Sequence, residues 1–131
     1  MNANNNLIKK AYLSLPFGQI HYRTNDCEDG IPLILLHRTP SSSIMYEPII
    51  REMFHDRPLY AIDTPGFGSS FDPNGSPDMK DYRDWMCESI DALGIEKFHI
   101  YAHHTGTHIA AEIANAWKAV SYTHLTLPTK A

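Results

Sequence analysis

Residues 98–114, FHIYAHHTGTHIAAEIA, constrain the fold more than any other part of this 131-residue chain. They read as a buried strand, a tight turn and a helix rich in small residues. A strand that turns directly into a helix needs small residues on both sides of the bend, and Ala102 and Gly106 fill these two positions. The segment therefore predicts a sharp strand–turn–helix bend with His104 at its centre.

The backbone requirements of such a bend favour His104 as its apex over Thr105. The apex residue adopts an unfavourable positive φ angle, which histidine tolerates better than a β-branched residue does. An apex at Thr105 would also place Thr107 where the second small residue belongs. We therefore expect the imidazole of His104 to project from the bend.

Short apolar runs elsewhere in the chain predict further strands. Three continuous runs, at 32–36, 59–62 and 98–101, are typical of strands that are buried on both faces of a parallel sheet. Two earlier strands, at 12–15 and 19–23, are joined by the turn-like tripeptide Pro16-Phe17-Gly18.

Helical patterns separate the apolar runs. The apolar residues of 49–54 fall at helical spacing, with Pro48 in the first turn. Ser76 and Pro77 predict the start of a second helix, as its cap and first residue, and Gly94 predicts its end. This alternation of strand and helix predicts an α/β fold with a mainly parallel twisted sheet flanked by helices.

Composition and charge limit the classes of partner. The chain is 43% hydrophobic and 20% charged, which is usual for a globular protein, and its net charge is −4. It has no run of lysine or arginine, so we expect no nucleic-acid partner. No apolar stretch is long enough to span a bilayer and the N-terminus lacks the apolar core of a signal peptide, so we expect no membrane association and a cytoplasmic location.

The last twelve residues, VSYTHLTLPTKA, do not continue the alternating pattern. We expect a loop and a buried strand at this point, and three threonines, a proline and a terminal Lys-Ala do not provide them. The segment resembles a translated sequencing adapter, so we predict a domain at 1–119 and a non-native tail at 120–131; a short natural tail is the alternative. If the sheet stops near Tyr101, its unpaired apolar edge favours aggregation or partial order.

Three motifs, each after a predicted strand, resemble those of the α/β-hydrolase family. HRTPSSS at 37–43 resembles the His-Gly-x-Pro loop, and DTPGFGSS at 63–70 resembles the Asp-x-Pro-Gly-x-Gly-x-Ser segment. Residues 91–106 resemble the run into the nucleophile elbow, whose small-x-nucleophile-x-Gly turn holds the attacking residue. The nearest resemblance is to the branch of haloalkane dehalogenases and epoxide hydrolases, including relatives with His-His-Thr-Gly at the elbow.

The resemblance implies a partial α/β-hydrolase fold that is truncated after the helix of the elbow. The intact parent would hydrolyse a small organic ester or a related bond without a cofactor, and the acid and second histidine of a triad would lie outside this chain. The chain alone is therefore expected to be inactive, and its oligomeric state stays open. Position by position, the implied catalytic residues are His104, at the nucleophile position, and Thr105 and Thr39, whose backbone N–H groups would form the oxyanion hole. The implied substrate-binding residues are His37, Arg38 and His103.

Two residues depart from the family pattern. Arg38 replaces the glycine that follows the histidine, where its side chain would crowd the loop or point into the pocket. His104 replaces the serine or aspartate nucleophile. Its imidazole could attack to form an acyl-imidazole, serve as a general base for water, or be inert. If the imidazole is inert, the parent is a small-molecule binding protein with a hydrolase fold. The sequence therefore does not decide between a hydrolase and a binding protein.

For the other histidines, Asp63 and Cys87, the sequence predicts structural roles and no catalytic or metal-binding role. His104 and His108 share a helical face, but Thr105 stands where a zincin has its glutamate, so we expect no metal site. His37 is expected to hold the loop that follows its strand or to be a hydrogen-bonded core residue. Asp63 is expected to hold the loop after its own strand, and Cys87, in mid-helix, is not expected to be a nucleophile.

Overall fold

The computed structural model describes residues 7–117 and 123–126. In this part of the chain six strands form one sheet. In chain order they are β1 (Lys9–Leu15), β2 (Gly18–Thr24), β3 (Leu33–Leu36), β4 (Leu59–Ile62), β5 (Phe98–Ala102) and β6 (Thr123–Thr126). Their spatial order is β1-β2-β4-β3-β5-β6.

The sheet is antiparallel at one side and parallel over the rest of its width. Strands β1 and β2 form a hairpin, and β2 pairs with β4 in antiparallel orientation. The pairs β4–β3, β3–β5 and β5–β6 are all parallel. The predicted hairpin and the predicted mainly parallel sheet are both confirmed.

Helices connect the parallel strands, as the alternating pattern predicts. They are α1 (Glu47–Glu52), preceded by a short 3-10 helix at Ser43–Tyr46, α2 (Met79–Ala92) and α3 (Gly106–Trp117). Pro48 lies in the first turn of α1, where its missing N–H is tolerated. Within the described residues, no helix combines the length and the apolar character that crossing a bilayer requires.

Apolar side chains cover both faces of the central parallel strands β3, β4 and β5. On one face Ile34, Leu36 and Ile100 pack in a cluster with Met86 of α2 and Ile113 of α3, and all five are 0% exposed. Side chains of the opposite face, including Leu35 and Leu59, cluster with residues of the 3-10 helix and α1. Burial on both faces explains why β3 and β4 have no polar alternation.

The start of α2 differs from the sequence prediction. The cap is Asp78, not Ser76, and the helix begins at Met79. The Asp78 carboxylate accepts a hydrogen bond from the Asp81 N–H at 2.9 Å, and the Asp81 carboxylate accepts one from the Asp78 N–H at 3.0 Å. This reciprocal pair satisfies two backbone donors at once. A cap at Ser76 cannot do so, because Met79, three residues further on, has no carboxylate or amide to accept the second hydrogen bond.

The expectation of no strand after α3 is also wrong. Thr123–Thr126 pairs in parallel with β5, with Phe98 opposite Thr123. Threonine has a high strand propensity, and pairing here satisfies backbone groups that an edge would leave open. The edge of β5 is therefore covered, which removes the reason for expecting aggregation through that edge. The domain boundary at 119 and residues 120–122 and 127–131 lie outside the described residues, and the non-native origin of 120–131 stays a prediction.

Candidate active site

The predicted bend is present between β5 and α3. Ala102 ends the strand and is 0% exposed, and Gly106 begins the helix. Between them His104 has a φ of +57°, in the left-handed region that residues other than glycine seldom adopt. Its side chain is exposed, and the ring of the half-buried His103 lies 5.8 Å from its own ring. The bend therefore presents an imidazole at its apex.

Close approach of backbones explains the glycine that follows the bend. A Cβ atom at Gly106 would lie 2.7 Å from the carbonyl oxygen of His37 and 3.0 Å from that of Leu36. The His103 N–H also donates a hydrogen bond to the Leu36 carbonyl at 3.3 Å. The bend is thus packed against the end of β3, at the point where the 37–43 loop begins.

His37 joins this loop to the loop that follows β4. One ring nitrogen, Nδ1, lies 2.8 Å from the Arg38 carbonyl oxygen, and the other, Nε2, lies 3.1 Å from the Thr64 backbone nitrogen. A carbonyl only accepts and a backbone N–H only donates, so the proton is on Nδ1 and Nε2 accepts. The ring is neutral, and its contacts agree with the expected role of holding the loop.

The stability of the chain should depend on the protonation of His37. Burial lowers the pKa of His37, so the unfolded chain takes up this proton at a higher pH than the folded chain does. The contribution of neutral His37 to stability is complete above the ordinary pKa of about 6.5 and is lost as the pH falls from there through the folded-state pKa. Urea unfolding measured at about pH 7.5 and at about pH 5 gives the loss of unfolding free energy on acidification. This loss should be smaller in His37→Asn than in the original chain. The exposed-site control His55→Asn should keep the original loss; equal losses in all three proteins would contradict this role.

Thr39 and Thr105 are brought into direct contact. The Thr39 N–H donates a hydrogen bond to the Thr105 side-chain oxygen, Oγ1, at 2.7 Å, and both residues are exposed. Among the described residues, the Thr105 N–H has no hydrogen-bond partner. The two amides that the sequence singles out are therefore neighbours, and the Thr105 hydroxyl already engages one of them.

A cavity of about 230 Å³ lies beside this contact. His37, Thr39 and Thr105 contribute to its wall, whereas Arg38, His103 and His104 do not. Arg38 is exposed to solvent. Most of the apolar wall comes from four residues that are not among the predicted site residues: Phe67, Met79, Tyr82 and Ile109. Met79 and Tyr82 lie on α2, but helical periodicity alone does not distinguish a cavity wall from a filled core.

The Asp63 carboxylate holds the loops around the site in place. This carboxylate is 1% exposed and accepts hydrogen bonds from the Ser43 N–H at 2.7 Å and the Ser69 N–H at 2.9 Å. It also lies 2.8 Å from Nδ1 of His21, a buried partner on β2 that the sequence did not reveal. Burial acts to raise the pKa of Asp63, but the hydrogen bonds from Ser69 and Ser43 outweigh it and hold that pKa below its usual value. These contacts support a loop-holding role.

The remaining reactive groups supply no second centre in the described part of the chain. Burial raises the pKa of the Cys87 thiol to about 11, so it stays protonated and unreactive at neutral pH. No group of three or more histidine, cysteine or acidic side chains among the described residues could hold a metal ion. Among the described residues, the bend and the two adjoining loops therefore form the candidate site.

Comparison with known proteins points to one family. The family model described as alpha/beta hydrolase fold matches residues 31–116. The chain is 39% identical over 93 residues to the "uncharacterized carboxylesterase nap" of Bacillus subtilis (strain 168), a match that covers 70% of this chain and 31% of that protein. The chain therefore spans about a third of the length of this curated relative.

Solved structures match almost the whole chain. The N-acyl homoserine lactonase AidH, complexed with N-hexanoyl homoserine, matches with a TM-score of 0.81 at 28% identity over 93% of this chain and 46% of its own. The haloalkane dehalogenase DatA from Agrobacterium tumefaciens C58 matches with a TM-score of 0.80 at 21% identity, over 92% of this chain and 40% of its own. At that identity the second match shows the fold alone.

Proposed function

This chain belongs to the α/β-hydrolase family, and we propose that it forms the N-terminal part of an enzyme that hydrolyses a small organic ester or a related bond. The curated carboxylesterase is about three times as long as the region it shares with this chain, so the activity is assigned to a longer parent protein. The 131-residue chain alone is expected to show no steady turnover.

One observation carries the proposal: the exposed imidazole of His104 stands on a residue with a φ of +57°. A non-glycine residue in such a conformation costs on the order of 1 kcal/mol or more and persists only where its surroundings enforce it. The tight contact of Gly106 with the end of β3 provides that enforcement. In this family the same position of the elbow carries the attacking residue.

The adjoining amides supply the second part of the chemistry. In the proposed reaction an imidazole nitrogen of His104 attacks the carbonyl carbon of the ester, and the C=O electron pair moves onto oxygen. The N–H groups of Thr39 and Thr105 would stabilise this oxyanion, each donor contributing on the order of 3 kcal/mol. The oxyanion then re-forms the C=O bond as the ester C–O bond breaks, and the leaving alkoxide takes the proton that the imidazole ring loses from its other nitrogen. Water hydrolyses the resulting acyl-imidazole to release the acid and restore His104.

The test is turnover of p-nitrophenyl butyrate by the intact parent and by its His104→Gln variant. We expect the variant to lose at least about a hundredfold in kcat/KM while circular dichroism shows an unchanged fold. An acyl group trapped on His104 supports attack by the imidazole, whereas a loss without any adduct assigns it the role of general base for water. Turnover that His104→Gln leaves unchanged would refute a role for this residue.

A second candidate, a non-catalytic binding protein, is favoured by one specific contact. The Thr39 N–H is already engaged by the Thr105 hydroxyl, so one of the two oxyanion donors is occupied in this structure. This candidate predicts that the parent binds a small molecule without turnover and that His104→Gln leaves the affinity intact. Substrate turnover by the parent decides against it.

A further inference from the structure

We propose that the cavity beside the Thr39–Thr105 hydrogen bond is a binding pocket for a short acyl chain. The oxygen of the acyl group would replace the Thr105 hydroxyl at the Thr39 N–H, and its hydrocarbon tail would fill the cavity. This inference deepens the proposed function, on which it rests, by naming the acyl part of the substrate.

The contact between Thr39 and Thr105 marks a place for an oxygen atom. The Thr105 Oγ1 accepts the Thr39 N–H at 2.7 Å, which is a short distance for an N–H···O bond. Both residues are exposed, so the hydroxyl can rotate away about χ1 and bond to water. A ligand oxygen that takes its place keeps the amide satisfied. The threonine hydroxyl is thus an internal substitute for a ligand oxygen.

The wall of the cavity suits a hydrocarbon tail. Phe67, Met79, Tyr82 and Ile109 supply apolar surface, and the two threonines lie in the same wall. The volume is about 230 Å³, and an apolar cavity of about 150 Å³ is already large enough to bind benzene. A tail of about four to six carbon atoms therefore fits, and its transfer from water is favourable.

The charges at the cavity select the head group of the ligand. Among the described residues, no aspartate, glutamate, lysine or arginine contributes to the cavity wall, and His37 is held neutral by its two backbone partners. A cationic head group would lose its hydration here without gaining a carboxylate partner. An acyl oxygen gains the Thr39 N–H. The pocket should therefore prefer butyrate to butylammonium, although their tails are alike.

The binding test uses the 131-residue chain labelled with ¹⁵N and titrated with sodium butyrate. We expect the amide signal of Thr39 and signals of the cavity residues to move with one common dissociation constant. Acetate, which lacks the tail, should bind at least about fivefold more weakly, since each buried methylene contributes about 0.8 kcal/mol. Butylammonium chloride should leave the Thr39 signal in place.

Two substitutions test the two ends of the pocket. Met79 is 40% exposed at the first position of α2, so Met79→Trp can fill the cavity mouth without disturbing the core, and we expect butyrate to bind at least about fivefold more weakly. The matched control is Ile44→Trp, at a residue that is 56% exposed and outside the cavity wall, and it should keep the original affinity. Thr105→Val removes the competing hydroxyl and should tighten butyrate binding.

The outcomes separate this proposal from the proposed hydrolase. The pocket proposal is refuted if butyrate and acetate bind equally well, or if Met79→Trp and Ile44→Trp have the same affinity for butyrate. It is also refuted if the Thr39 signal does not shift. These results hold whatever the parent catalyses. Binding with the expected dependence on tail and variant supports the pocket even if the parent shows no turnover. In that case the hydrolase proposal fails and the pocket remains.

Discussion

Replacing Gly106 by alanine is expected to lower the free energy of unfolding by about 3 kcal/mol or more. The new Cβ would lie 2.7 Å from the His37 carbonyl oxygen and 3.0 Å from that of Leu36, and both neighbours are backbone atoms that cannot rotate away. We expect this loss of stability even though the intrinsic helix propensity of alanine is more favourable than that of glycine by about 1 kcal/mol. It should be measured by urea unfolding followed by circular dichroism.

The matched control for this substitution is Gly75→Ala. Gly75 has a φ of +72°, and a Cβ atom there would meet nothing within 4 Å. This variant therefore reports backbone strain without a clash, and we expect a loss of roughly 1–2 kcal/mol. A Gly106→Ala protein that is as stable as Gly75→Ala would show that the bend is not packed tightly against β3.

Replacing Asp63 by alanine is expected to lower the free energy of unfolding by about 3–5 kcal/mol. The carboxylate accepts hydrogen bonds from two loop amides, at Ser43 and Ser69, and lies 2.8 Å from the buried ring of His21. Alanine would leave these buried partners unsatisfied, and each unsatisfied donor costs about 1–3 kcal/mol. Both loops beside the site should loosen together.

The exposed carboxylate of Asp72 provides the control for Asp63. Asp72→Ala should change the free energy of unfolding by no more than about 0.5 kcal/mol. Hydrogen exchange of the 37–43 and 63–70 amides should accelerate in Asp63→Ala and stay unchanged in Asp72→Ala. If Asp63→Ala is as stable as Asp72→Ala, the carboxylate does not hold these loops.

Patterns confined to neighbouring residues predicted most of the fold. The apolar runs of β3, β4 and β5 identified buried strands because strands covered on both faces need no polar alternation. The bend was predicted from Ala102, His104 and Gly106 because its steric requirements fall on residues only two positions apart. The resemblance of the three loop motifs then placed these elements in one family.

Features that depend on distant partners or on competing local choices were not predicted. His21 is separated by 42 residues from Asp63, and nothing in either segment indicates the pairing. The cap of α2 was predicted at Ser76, whereas the reciprocal contact with Asp81 places it at Asp78. The segment of β6 was misjudged because its composition is polar, while its pairing with β5 depends on the sheet that receives it.

In the proposed reaction, His104 reacts with a carbonyl carbon whose oxygen is stabilised by the neighbouring amides. This reactivity is measured by the rate at which diethyl pyrocarbonate modifies each histidine, read by peptide mass spectrometry after brief exposure. Its carbonyl is attacked by imidazole in the same way as that of an ester, and the exposed His55 serves as an internal reference. We expect His104 to be modified at least about tenfold faster than His55, because the amide donors lower the barrier to attack. Modification of His104 at the rate of His55 or more slowly would contradict it.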